Sequence, residues 1–374
     1  MGKGHAMALD IRADHVGSLL RPKTLLDAWD RHDRGDVSDE ALERIEDEAI
    51  ERVLKLQRDA GVGVVTDGEF RRLSWLSNLH DHCDGLVRRD EPGYPPFWKG
   101  VGEKVANAEM PVKAIICNGR LKARERLTGQ ETAFLGEHAA APFKTSLAAP
   151  TMHLNLYVEG VTDKVYPDMQ AFVDDIVAIY QDEVEGLAKD GCSYFQLDTL
   201  RYTQIIGELD YASHGMSNQA MAEQTLASDN AVLKRAKAAG MTTGIHICRG
   251  NHRSAWATSG SYEAVAEGLF NGTEADRLLL EYDDERSGGF EPLRFVPKGK
   301  TVVLGLVTTK TGQLEDKDLL RRRVDEAAKF VPLEQLAISP QCGFASTHQG
   351  NLLSEDEEKR KLALVAETAR LIWG

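Results

Sequence analysis

His246 and Cys248 stand two residues apart in GIHICRGN, at what reads as the end of a β-strand. Side chains at i and i+2 of a strand share a face, so imidazole and thiol project together. Both are ligands that zinc favours. Taken alone, the pair equally describes a buried histidine beside a buried thiol. Two later strand ends shift the balance. LLLEYDDE brings Glu281, followed by Asp283, Asp284 and Glu285, and SPQCG brings Cys342. Gathered around one mouth, an imidazole, two thiols and a carboxylate make four ligands for Zn2+. Glu281 alternates in phase with Leu279, which does not by itself fix its face.

Such a ligand set constrains the reaction. Two thiolates and a carboxylate give the ion an excess of negative charge, which makes it poor at generating hydroxide from water. It is suited instead to holding an incoming thiol as a nucleophilic thiolate near neutral pH. Glu281, a hard ligand among soft ones, is the member expected to yield its place. The expected chemistry is therefore alkyl transfer to a zinc-activated small thiol, with Glu281, and Asp198 at a middle strand end, as catalytic candidates.

Three earlier segments add substrate-binding candidates. RADHVGSLLRP places His15 and Ser18 at a first strand end, TDGEFRR places Asp67, Glu69, Arg71 and Arg72 after a second, and QLDTLRY places Asp198 after a middle strand. Carboxylates there suit a substrate ammonium, and arginines suit a carboxylate or sulfonate. Glu69 and Asp198 could equally be paired with Arg71, Arg72 or Arg201. The loop GNHRSAWATSG offers Asn251 and Arg253 either to the pocket or simply to solvent, and Trp75 and Trp98 serve as pocket walls or as core and lid packing.

Strands and helices alternate around these tips. Apolar helical spacing runs over 38–61, with Ser38 as N-cap and Gly61 as stop, and recurs over 169–191, 216–240, 261–270, 314–331 and 354–373. β-Branched runs lie at 62–69, 193–198, 241–248, 277–285, 301–309 and 336–344. Repeated β-then-α with buried strands argues for α/β architecture, a closed (β/α)8 TIM barrel in a single domain over 1–374. About nine strand candidates exceed eight, so KAIICNGRLKARERL (113–127) is expected outside the barrel, in a hairpin. The Pro-, Gly- and charge-rich stretch from about 92 to 143 reads as an insertion over one end. No Gly-rich phosphate fingerprint follows an early strand, which disfavours a dinucleotide fold.

The chain has 374 residues and a formal charge of −14, from 45 basic and 59 acidic residues. That balance does not suit nucleic acid or an anionic membrane surface. No apolar run is long enough to span a bilayer, and the opening MGKGHAMALD lacks an apolar signal-like stretch. A cytoplasmic protein is expected, with a monomer and a homo-oligomer both open. The five cysteines are odd in number and widely spread, which argues for free thiols or metal ligands over disulfides; Cys83, Cys117 and Cys192 read as buried hydrophobes.

HVGS, TDGEFRR, QLD, HICRGN, LEYDDERSGGFEPLRF and SPQCGF together resemble the catalytic barrel of cobalamin-independent methionine synthases, and more closely its stand-alone single-barrel relatives. The resemblance runs from Arg12 to Gly374. It implies zinc on His246, Cys248, Glu281 and Cys342, an amino-acid site at Ser18, Glu69 and Asp198, and methyl transfer from a methyltetrahydrofolate to homocysteine in methionine biosynthesis. Departures fall on the donor side. Asp198-Thr199-Leu200 stands where the family has Asp-Glu-Pro, and no histidine falls between Thr308 and Lys310, where a proton relay is expected. A folate-stacking tryptophan is replaced near Leu156, and no duplicate barrel precedes this one. A different donor, such as an epoxide, with another thiol, such as coenzyme M, therefore stays open, its sulfonate suiting Arg71 or Arg72.

Overall fold

Alternation along the late strands decides what the barrel holds. The computed structural model describes residues 9–92, 98–109, 113–207 and 215–374, without the side chains of 90–92. Its strands are β1 (Cys83–Pro92), β2 (Lys113–Ala123), β3 (Lys144–Ala148), β4 (Tyr194–Thr199), β5 (Thr242–Ile247), β6 (Arg277–Glu281), β7 (Thr301–Val307) and β8 (Leu336–Pro340). The last six form one parallel sheet in sequence order. In β4, β5, β6 and β8 the residues Phe195, Leu197, Ile245, Ile247, Leu278, Leu280, Leu336 and Ile338 join the main apolar core. The alternate residues point inward: Leu279, Val303 and Ala337 cluster separately with Val16. Glu281 follows Leu279 by two and so faces the interior, which settles the orientation that periodicity left open.

Two short segments close the ring. Ala13 bridges Ile338 of β8, and Val65 bridges Phe143 just ahead of β3. The amide of Asp14 donates to the Ile338 carbonyl at 2.9 Å, that of Gly63 to Ala13 at 2.8 Å and that of Lys144 to Val65 at 2.9 Å. Eight segments thus make the TIM barrel expected from the sequence. Among the described residues the run at 62–69 makes this one bridge, and beyond it the helix Asp39–Ala60 takes up the backbone of Thr66. Its Gln57 side chain donates to the Thr66 carbonyl at 2.7 Å and accepts from the Thr66 amide at 2.9 Å.

That helix is capped by Ser38, whose hydroxyl accepts from the Ala41 amide, and it stops at Gly61 in the left-handed region with φ 82°. The closing helix Glu355–Trp373 carries the Ser354/Glu357 capping box. β2 pairs antiparallel with β1 outside the barrel, and β1 starts at Cys83, ahead of the 92–143 stretch. Within that stretch, 93–97 and 110–112 lie outside the described residues. No helix among the described residues is long and apolar enough to cross a membrane.

The barrel floor is polar. Lys144 donates to Asp14 and to Gln196, each at 2.8 Å, and Arg277 donates to Asp14 at 3.3 Å. Asp14 is fully buried, yet these two cations outweigh the burial and hold its carboxyl below the usual range. Gly244 makes room for the Tyr194 ring, whose hydroxyl would lie 2.6 Å from a Cβ there.

Gly305 of β7 is level with Glu281. A Cβ at Gly305 would lie 2.8 Å from Gln341 Cα and 2.9 Å from the Leu280 carbonyl oxygen, both backbone atoms that cannot yield cheaply. Gly305→Ala is expected to cost about 1–3 kcal/mol, read as a lower urea midpoint at unchanged slope.

Candidate metal centre

β5 delivers His246 and Cys248 from its tip, β6 ends on Glu281, and the turn after β8 supplies Cys342. One ligand atom from each of these four lies within 4.8 Å of the others, and all four residues are buried. The two sulfurs are 3.5 Å apart, too far for a bond and right for one edge of a coordination tetrahedron with metal–sulfur distances of about 2.3 Å. His246 is buried with neither ring nitrogen hydrogen-bonded, which is costly for a buried polar group unless another partner takes it. Burial alone would lower the imidazole, but Cys342, Asp198 and Glu281 override it and push it up to about 9. Cys342 is held well below the usual thiol range by the Cys248 thiol and by His246, against burial, while Cys248 is pushed well above it. A mixed N, S and O donor set with this charge fits a tetrahedral zinc ion.

Surrounding groups fix the ligands. The Arg249 amide donates to Glu281 Oε1 at 2.7 Å, and the Gly250 amide donates to Cys248 Sγ at 3.3 Å. Glu281 Oε2 accepts from Arg286 at 3.2 Å and from Gln341 at 3.5 Å. The Gln341 carbonyl oxygen accepts from the amide and the hydroxyl of Thr309, so its NH2 must face Glu281. The Tyr262 hydroxyl accepts from the Glu281 amide at 3.0 Å. The Arg249 side chain is fully buried, 4.4 Å over the Tyr262 ring, with no nitrogen in good hydrogen-bond geometry. Lys310 stands where a relay histidine is expected. Its ammonium spends its donors on Asn251 Oδ1 at 2.6 Å and on the Gly250 and Ala255 carbonyls. Asn251 donates in turn to the Gly343 carbonyl at 2.8 Å, which ties the loop after Cys248 to the turn holding Cys342. The segment around Trp98–Glu109 straps over that loop: Glu109 contacts His252 at 2.7 Å and Arg253 at 2.8 Å.

A second group lies beside the cluster at the mouth. Asp198 is in register with His246, and its Oδ1 accepts from Gln196 at 2.7 Å. Because Gln196 Oε1 is taken by the Lys144 ammonium, its amide must aim donors at Asp198 and at the Val16 carbonyl. Burial raises the Asp198 carboxyl. Glu69 adopts φ 61°, a strained value for a non-glycine residue. Arg21 holds it there by donating to the carbonyls of Glu69 and Arg72, each at 2.7 Å. Glu69 Oε1 accepts from Ser146 at 3.3 Å, while its buried Oε2 has no hydrogen-bond partner. Ser18 is buried against Gly343, where a Cβ would lie 1.9 Å from its hydroxyl.

The other candidates are committed elsewhere. Arg71 pairs with Glu46 at 2.7 Å and with Asp47, on the helix outside the barrel. Arg72 forks onto Glu131 at 2.7 and 2.6 Å, with Nη1 3.8 Å from Glu69. His15 contacts the Val64 carbonyl at 3.1 Å, and burial lowers it to about 4, so it is neutral and engaged with the neighbouring barrel segment. Trp75 packs against the apolar core, and Trp98 lies 5.3 Å from the His252 ring. The sequence reading passed over Lys144, Gln196, Arg286 and Gln341. Two of these had a signal: Gln196 shares the strand face of Asp198, and Lys144 is a charge in an otherwise buried strand.

The fold and the cluster define a class, a (β/α)8 barrel with a buried His, Glu and two-Cys cluster at its mouth that could hold a metal ion. The chain belongs to the cobalamin-independent synthase family, whose catalytic domain matches residues 15–363. It is 38% identical over 369 residues to the uncharacterised protein YxjH of Bacillus subtilis (strain 168), covering 97% of this chain and 94% of that one. It is 22% identical to the methionine synthase of Pyrococcus abyssi over 96% of this chain and 91% of that one. Among solved structures, a vitamin-B12-independent methionine synthase candidate from Listeria monocytogenes superposes with TM-score 0.76 at 28% identity, covering 98% and 99% of the two chains. A B12-independent methionine synthase from Shewanella sp. W3-18-1, in complex with selenomethionine, shares the fold with TM-score 0.74 at 19% identity, covering 96% and 97%.

Burial pushes the Glu69 carboxyl up from the ordinary 4.5 to about 7, with Arg72 and Arg21 opposing and Asp198 and Asp67 adding. The folded state therefore binds this proton more tightly than the unfolded chain does. Its contribution to stability is present below pH 4.5 and lost as pH rises through about 7. Glu69→Gln should flatten that decline, measured as urea midpoint against pH.

Proposed function

We propose that this protein is a zinc-dependent methyltransferase that moves a methyl group onto a small thiol, homocysteine first among them. The observation that carries the reading is the buried His246, Cys248, Glu281 and Cys342 cluster with its unpartnered imidazole. Bound zinc would supply one thing: an acceptor that keeps the substrate sulfur ionised at neutral pH. Family membership and the relatives named methionine synthase support the same reading.

The protein's own groups do the rest. Asp198, aimed by Gln196, and Glu69, with one oxygen free of partners, would receive the ammonium of an amino-acid thiol beside the metal. Ser18 would orient its carboxylate end. Burial of the mouth strengthens these contacts by excluding water. The methyl donor is taken to be a methyltetrahydrofolate. We place the reaction in the cytoplasm, where the five free cysteines stay reduced.

A second reading keeps the metal and changes the partners: an alkyl transfer between another donor, such as an epoxide, and another thiol, such as coenzyme M. One observation favours it. The donor side lacks the expected groups, since Leu156 is fully buried in the core and Lys310 is occupied by three oxygens.

Purified protein should bind one equivalent of zinc, and His246→Ala or Cys342→Ala should retain less than about a tenth of it, measured by metal analysis after dialysis. Homocysteine added to zinc-loaded protein should release about one proton per site and change the metal's X-ray absorption edge. The same response to coenzyme M alone would select the second reading, and silence toward every thiol would reject both.

A further inference from the structure

Arg286 is the strongest ion-pairing group around the metal cluster that the proposed reaction does not yet use. It follows Glu281 by five residues, and its side chain is 6% exposed. One guanidinium nitrogen, Nη2, reaches both Glu281 Oε2 at 3.2 Å and Asp283 Oδ1 at 2.7 Å, while Nη1 contacts Asp284. The Trp256 ring lies 5.9 Å from the guanidinium. The Glu281 backbone is fixed by the Tyr262 hydroxyl, and Oε1 by the Arg249 amide. The freedom left to Glu281 is therefore in its side chain, and Oε2 already points to Arg286.

Resting on the thiol-transfer reading above, we propose that Arg286 is a positioning residue: it receives the Glu281 carboxylate when a substrate thiol takes that residue's place on the metal. In this exchange the sulfur–metal contact forms, the carboxylate–metal contact breaks, the thiol proton leaves to solvent and Glu281 departs as an anion. An anion released into a buried mouth needs a counter-charge at hand. Arg286 supplies it within a small side-chain rotation. Asp283 competes for the same nitrogen and so sets how strongly Arg286 pulls. Gln341, with its NH2 fixed toward Oε2, forms the other side of the receiving site.

The arrangement makes a prediction of opposite signs. In Arg286→Met, Glu281 loses the charged half of its receiving site and keeps the neutral Gln341 amide, so zinc should bind about tenfold more tightly while homocysteine binds about tenfold more weakly. In Asp283→Asn, Nη2 loses its competing carboxylate and turns to Glu281 while Nη1 stays on Asp284, so zinc should weaken and homocysteine tighten. Zinc affinity is read by chelator competition and homocysteine affinity by the thiolate-to-metal absorption of cobalt(II)-loaded protein, neither of which needs turnover. An outer group that merely orients a ligand would lose metal affinity on removal. Weaker zinc binding in Arg286→Met, or changes of one sign in both affinities, overturns the proposal. If Arg286→Met does not fold, Asp283→Asn decides alone, with unchanged or reversed affinities overturning it. A wild-type protein silent to homocysteine brings down the functional reading itself, whereas a responsive wild type with indifferent variants brings down only the role of Arg286.

Discussion

Acidic and sulfur groups gathered in a buried place are the constraint around which this barrel is built. Two sulfurs and the Glu281 carboxylate meet at the mouth, and Asp198 is in register with His246 beside them. Two unit charges 4 Å apart interact by about 4 kcal/mol at an effective dielectric of 20, so the group survives only with cations close by. The structure provides Arg286 on Glu281, Lys310 beneath the loop after Cys248, and the fully buried Arg249 over Tyr262. None of these is hydrogen-bonded to the His246 imidazole, whose charge partner within the cluster is Cys342.

The interior is layered by charge. At the floor, Lys144 and Arg277 converge on Asp14, one anion against two cations. Gln196 links Lys144 to Asp198 by hydrogen bonds, and its amide has one orientation because an ammonium only donates and a carboxylate only accepts. A polar column thus runs from the bottom of the barrel to the carboxylate beside the metal cluster. It is bought with small side chains where bulky ones must fit, as at Gly244 under the Tyr194 ring.

Much of this was legible in the sequence. The H-x-C spacing on a strand, the carboxylate ending LLLE and the cysteine after SPQ carried the metal cluster, because strand periodicity fixes relative direction over two residues. The β-then-α order carried the barrel, and Ser38, Gly61 and Ser354 carried their helix ends. What stayed hidden depends on partners distant in the chain. Arg71 and Arg72 look like substrate clamps until Glu46, Asp47 and Glu131 are seen to hold them. His15 looks like a mouth residue until its ring is found on the Val64 carbonyl. The second barrel segment looks like a full strand, but its pairing ends at Val65 and a helix glutamine takes the backbone of Thr66. No local pattern encodes such partners.

The ring closes through Ala13 and Ile338, residues more than three hundred positions apart. The first barrel segment carries both Asp14 of the floor and Ser18 of the mouth, and its other sheet neighbour is the last strand. During synthesis it must wait, unpaired on that side, until Ile338 has left the ribosome. Long-range closure of this kind is slow, so Lys144 and Arg277 gain their shared counter-ion only late. The site comes into being as a final act of folding rather than on a scaffold completed early.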